Sequence, residues 1–233
     1  MAHTCYSFTD PLTESPYYII KAKASEIKLT NFCKNGGDAN TLRATKKYGM
    51  NCAFFNPNNN RLSSLVYQNG SPVGMDSNDG RNNTAGGCII AYNNGSLYFA
   101  ANVNSDASSK VPKGIRNTWA IGGMGLYLGH PDWLEMFLSN PEARNYFENE
   151  TLGPRTALLA NTDTNEVYLV ACFILTTTIN NMRLALMSYA DIEEGTYRSC
   201  RWQALMSRMV SSPSWMQSAT ARLFRMFFVP KAS

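Results

Sequence analysis

Two apolar runs, Cys88–Tyr92 and Ser96–Val103, are joined by Asn93-Asn94-Gly95. An Asn-Gly step between strand-like runs is the strongest short-range hairpin signal. Both residues accept the positive φ that a tight turn matched to strand twist requires. This step commits the middle of the chain to antiparallel β structure. Further runs with strand character are Tyr17–Ala22, the alternating Glu26–Thr30, and Leu62–Tyr67 with its turn Asn69-Gly70-Ser71-Pro72. Leu158–Asn161 and Val167–Phe173 flank a turn at Asp163-Thr164-Asn165. Thr118–Leu128 is apolar but carries Gly122, Gly123 and Gly125. Glycines inside a strand imply a bulge or a close backbone approach. Their spacing is not that of a phosphate-binding loop.

Helical patterns punctuate the strands. Thr41 is placed to cap a short helix, Leu42–Lys47, that leads into Tyr48-Gly49-Met50-Asn51-Cys52-Ala53-Phe54-Phe55-Asn56. Asp132–Leu138 reads as a helix, and Pro141 opens another turn of helix, both in an arm running to Asn149. Thr176-Thr177-Thr178 precedes a helix over Ile179–Tyr189. Trp202–Met209 reads as helical too, and an amphipathic helix follows Pro213. Residues 1–16 read as a loose arm, 17–210 as the domain and 211–233 as a tail. The fold class expected is α+β: mixed or antiparallel sheets with a few packed helices in a single domain.

Composition narrows the function classes. Of 233 residues, 44% are apolar and 12% aromatic, enough to fill a core, while only 16% are charged. Asn, Ser and Thr supply the polar surface, which suits a turn-rich β protein. The net charge is +4 with no basic run, so no nucleic-acid groove is read. No apolar segment approaches the roughly 18 residues of a membrane span. Met1–Ser7 lacks a charged region followed by an apolar one, so the expected location is cytoplasmic, or alternatively virion-associated. The six cysteines form no CxxC pair, and two histidines do not complete a zinc set with them. Free thiols, no metal and no cofactor are expected. Arg222, Arg225 and Lys231 interleave with Leu223, Phe224 and Phe227. That segment either packs on its own domain or offers a contact to a second copy or a protein partner.

The stretch around Asn51 places an apolar burst between two asparagines, a common way to hold polar groups at a strand end. Residues 74–87 form a long polar, glycine-rich loop containing Asp76, Asp79 and Arg81. Taken in order, Asn51-Cys52-Ala53-Phe54-Phe55, the turn-bearing Leu65–Val73, Ala120–Leu126, Arg155-Thr156-Ala157-Leu158 and the helix from Thr178 resemble the phosphodiester glycosidase domain family. The resemblance covers about residues 17–200. It departs from the family in one place: the closing Leu-Asp-Gly-Gly-Gly-Ser is missing, and Thr196–Trp202 stands there instead.

The resemblance implies a small sugar–phosphate ligand and sets roles for individual residues. Arg155 begins a strand where the family places a pocket, and a guanidinium fork suits phosphate; the alternative is a surface ion pair. Asn51 and Asn56 either bind sugar hydroxyls or cap turns. Gly122 and Gly123 either let backbone N–H groups reach the ligand or mark strand packing, and Thr156 adjoins Arg155. Glycoside cleavage requires a carboxyl group. Asp191, Glu193 and Glu194, after the threonine-started helix, are closest in sequence to the missing aspartate; the alternative is a solvated loop. His130, next to a proline, reads as a turn residue. Two functions follow: a hydrolase acting on a sugar–phosphate diester, or a binding or structural protein, phage- or virus-encoded, that kept the fold without the activity.

Overall fold

The computed structural model describes residues 4–29, 49–50, 53, 62, 64–73, 86–100, 117–148, 153–174, 177–196 and 201–208. Among the described residues ten strands form one sheet: β1 Thr4–Thr9, β2 Pro16–Lys23, β3 Val66–Gln68, β4 Ser71–Pro72, β5 Gly87–Tyr92, β6 Leu97–Ala100, β7 Asn117–Gly125, β8 Arg155–Asn161, β9 Glu166–Cys172 and β10 Trp202–Arg208. Among the described residues three α-helices accompany them, α1 Trp133–Leu138, α2 Pro141–Glu148 and α3 Ile179–Ala190. Every pairing is antiparallel, in the order β1-β2-β9-β8-β10-β7-β3-β4, with β5 on β7 and β6 on β5. The class is α+β, mostly β.

β7 divides the sheet into two halves. Its C-terminal end pairs with β10 (Leu205↔Gly125), while residues 117–123 pair with β5 and residues 119–121 with β3. The halves pack on each other through Ala22, Leu158, Leu169 and Leu205 from one and Ile89, Trp119, Ile121 and Val66 from the other. Glycine is needed where they approach. A Cβ on Gly87 would lie 2.6 Å from Leu205 Cδ2, and one on Gly123 would lie 3.0 Å from the Met206 carbonyl oxygen. The glycine-bearing strand is thus the corner between two packed halves, where strands bend or switch.

Period-two alternation sorts the remaining side chains. On β8, Leu158 and Ala160 face the other half, while Ala157 and Leu159 join Ile179, Met182 and Leu186 of α3 in a second core. The outer face of the other half carries a third cluster around Leu65, Tyr67 and Ile90. Thr178 caps α3 as expected, its hydroxyl accepting from Asn181 N at 3.0 Å.

Several expectations are corrected. The expected strand Glu26–Thr30 is not seen over its described residues 26–29: Ala24–Glu26 is a 3-10 turn whose Ala24 carbonyl accepts from the Trp119 indole at 2.8 Å. Residues 4–9, expected in a loose arm, form the edge strand β1 in register with β2. Trp202–Met209, expected as helix, supplies β10 between β8 and β7. Gln, Ala, Leu and Met are good helix formers, but a buried slot between two strands overrides propensity. The helix 42–47, most of 51–61 and the terminal segment after 208 lie outside the described residues.

Candidate functional site

Register brings the Arg155 end of β8 into a row with its neighbours. Tyr17 of β2 stands opposite Cys172 of β9, Cys172 opposite Arg155, and Arg155 opposite Arg208 of β10. One residue inward, Tyr18, Ala171, Thr156 and Ser207 form the next row. Alternation puts Tyr17, Cys172 and Arg155 on the helix side and Thr156 on the side facing the other half. Arg155 is 1% exposed and Thr156 is fully buried. Arg155 is therefore no surface residue. A buried guanidinium holds its charge among hydrogen-bond acceptors, and Arg155 Nη1 donates to Pro154 O at 3.4 Å.

A polar cluster continues from Arg155 along that row. Cys172 Sγ lies 3.2 Å from Thr177 Oγ1, which donates to Ile174 O, at the N-terminal end of α3. On the other side, the Tyr17 phenol is buried beside Cys172, Asp10 and Thr13, and burial, followed by its neighbours Cys172 and Asp10, pushes it up. Asp10 is fully buried in the β1–β2 turn. Its Oδ2 accepts from Thr13 N at 2.9 Å and Thr13 Oγ1 at 2.6 Å. Sequence reasoning passed over both Asp10 and Tyr17. The signal present was an aspartate three residues before a threonine, at a Pro-containing turn between strands.

The three carboxylates do not join this row. Asp191 is the left-handed C-cap of α3 (φ 54°), with its N–H turned back to Ser188 O. α3 has 12 residues, so about 18 Å of helix separates Asp191 from the Thr177–Cys172 end. Glu193 offers its carbonyl to Thr196 Oγ1 at 2.6 Å. Glu194 pairs with Arg183 Nη1 at 2.6 Å. Arg183 is a residue the sequence reading missed. It is 1% exposed, donates to the carbonyls of Leu126, Tyr127 and His130, and lies 4.7 Å from the Trp133 ring centre. Its place on the apolar stripe of α3, four residues after Ile179 and three before Leu186, was the available clue. His130 is a turn residue whose Nδ1 accepts from Asp132 N at 3.1 Å.

The glycines are engaged by protein. Gly122 N–H donates to Leu65 O at 2.7 Å, and the space over Gly123 is filled by β10. Asn51 and Asn56 lie outside the described residues, as do Asp76, Asp79 and Arg81. Met50 and Ala53, which flank Asn51, sit in the core between the two halves, the side to which Thr156 points. Among the described residues no group of three or more His, Cys, Asp or Glu side chains could hold a metal. No helix there is long and apolar enough to cross a membrane.

No family model and no curated protein matches the chain. Among solved structures it superposes on the zebrafish N-acetylglucosamine-1-phosphodiester alpha-N-acetylglucosaminidase catalytic domain, auto-inhibited by its pro-peptide, with a TM-score of 0.59 and 11% identity. The match covers 100% of this chain and 83% of that one. A hypothetical protein from Synechocystis matches with a TM-score of 0.48 and 11% identity over 88% of this chain and 56% of that one. The fold is that of a phosphodiester glycosidase catalytic domain.

Proposed function

We propose that this chain binds a sugar–phosphate ligand at the sheet end that carries Arg155. The observation behind this reading is the superposition of the whole chain on a phosphodiester glycosidase catalytic domain. Fold alone does not set function, so the site must supply the chemistry. A desolvated guanidinium at a strand end suits phosphate, because its planar fork can make two charge-assisted bonds.

A second reading, binding without turnover, has its own support. Cleavage needs carboxyl groups within a few ångströms of the anomeric carbon. Asp191 caps the far end of α3, and Glu194 turns back along the helix to pair with Arg183.

Calorimetry with N-acetylglucosamine-1-phosphate tests the binding reading. Arg155→Lys should weaken affinity, and Arg155→Ala should weaken it about ten- to a hundred-fold, the equivalent of one charge-assisted bond. Thermal melts establish that each variant is folded. No heat from the folded parent at millimolar ligand would remove the phosphate site. Release of sugar from a sugar–phosphate diester by the parent would decide for hydrolase over binding protein.

A further inference from the structure

β1 pairs with β2 on one side, and among the described residues no strand pairs with its other edge. The register says which backbone groups that open edge presents. Asp10 N donates to Ser15 O at 3.0 Å, one step past the pair Thr9↔Pro16. Bonded pairs alternate along an antiparallel ladder, so Phe8, Tyr6 and Thr4 bond to β2. Pro16, which has no N–H to give, stands opposite Thr9 at a position that needs none. Cys5, Ser7 and Thr9 therefore aim their N–H and C=O groups outward, and all three are exposed. An open edge is normally guarded by Lys, Pro, a bulge or an inward charge. β1 reads Thr-Cys-Tyr-Ser-Phe-Thr, with neither charge nor proline, and its six residues run in unbroken register.

Turned end for end, this strand is its own complement. About a two-fold axis through Ser7, Ser7 faces Ser7 of a second copy, and Cys5 faces Thr9. Each such pair exchanges two backbone bonds. Sliding the copies by two residues either way leaves one of the outward residues without a mate. The side chains agree with the backbone. In the two-fold register Tyr6 stands opposite Phe8 of the copy, at the non-bonded positions where cross-strand side chains come closest and aromatic pairs are favourable. Both rings are half-buried and rest on Tyr189 of α3. The opposite face carries only the small side chains of Cys5, Ser7 and Thr9, with no like charges to repel. We propose that this edge pairs with a second copy of the chain, β1 against β1 about Ser7, so that one sheet runs through a dimer.

Sedimentation velocity reads the association directly, and the parent should show twice the chain mass at about 100 μM, a modest affinity for such a contact. Ser7→Pro removes the central outward N–H and nothing that β2 uses, so the monomer keeps its fold by circular dichroism. The dimer dissociation constant should rise at least about tenfold, the loss of two backbone bonds. Ser7→Lys, which sets two ammonium groups face to face, should weaken it in the same direction and covers the case of a proline that disturbs β1. Cross-linking reads the register. With Cys5→Ser and Ser7→Cys together, position 7 meets itself at a Cα separation of about 5.5 Å, within disulfide reach, so mild oxidation should yield a linked dimer. In the parent, Cys5 lies four residues along from its own copy, about 13 Å, and should not link. A parent that remains monomeric at about 100 μM overturns the proposal. So does a dimer that neither Ser7→Pro nor Ser7→Lys weakens, or one that Ser7→Cys fails to link, since either result places the contact elsewhere.

Discussion

Buried Arg183 makes the sharpest case at the scale of single residues. Its guanidinium holds three carbonyls of the 126–130 segment and the Glu194 carboxylate. Arg183→Met should destabilise by about 2–4 kcal/mol, because those acceptors lose their donor inside the protein. Glu194→Gln should cost under about 1 kcal/mol, since Glu194 is half exposed. Urea unfolding of the two variants checks the contrast, and equal losses would contradict it. Glu166 supplies a pH signature. Burial alone would push its carboxyl up, but bonds from Lys21, then Lys23, Thr164 and Tyr168, outweigh it and hold the group at about 2 against an ordinary 4.5. A depressed carboxyl stabilises fully above the ordinary value and loses that contribution as pH falls from about 4.5 towards about 2. Glu166→Gln should lack this part of the acid limb in urea midpoints measured across that range. Among the thiols, Cys5 is exposed while Cys88 and Cys172 are buried, and burial pushes Cys88 up to about 12. In the native state Cys5 should therefore react with a thiol reagent long before the other two.

Element by element, the strands with local turn chemistry were legible and those defined by distant partners were not. Asn94-Gly95 and Asp163–Asn165 announce the β5–β6 and β8–β9 hairpins, which form with those turns. Thr178 announces α3. β10 carries no such signal. Its residues favour helix, and only the slot between β8 and β7 makes them a strand. β1 is less legible, because its alternation rests on only two aromatics, Tyr6 and Phe8, in a short edge strand. Two substitutions test the elements. Thr178→Ala should cost about 1 kcal/mol through loss of the N-cap. Gly123→Ala should cost about 1–3 kcal/mol, since its Cβ would meet the backbone of β10 at 3.0 Å, where a side chain cannot swing away.

For the whole molecule, the sequence specified an α+β domain but not the bend at β7 that turns one sheet into two packed halves. The glycines marked the place, but their cause, the approach of β10, is a contact between strands some 80 residues apart in sequence. The candidate site was legible in part for the same reason. Arg155-Thr156 carried a recognisable motif, whereas Asp10 and Tyr17 enter only because β2 and β9 pair. Sequence proximity pointed to Asp191, Glu193 and Glu194; Asp191 caps the far end of a 12-residue helix, while Glu194 turns back to pair with Arg183. Burial also predicts where the fold is firmest. All seven residues of β8 are buried, while β1 is an exposed edge, so amide exchange in the monomer should be slowest in β8 and fast in β1. The central claim is that the sheet end bearing Arg155 is the ligand site. A crystal structure of the protein soaked with N-acetylglucosamine-1-phosphate tests it most directly. The account predicts the phosphate within hydrogen-bond distance of the Arg155 guanidinium. Ligand bound instead beside Asp191, Glu193 and Glu194, with Arg155 untouched, would contradict it.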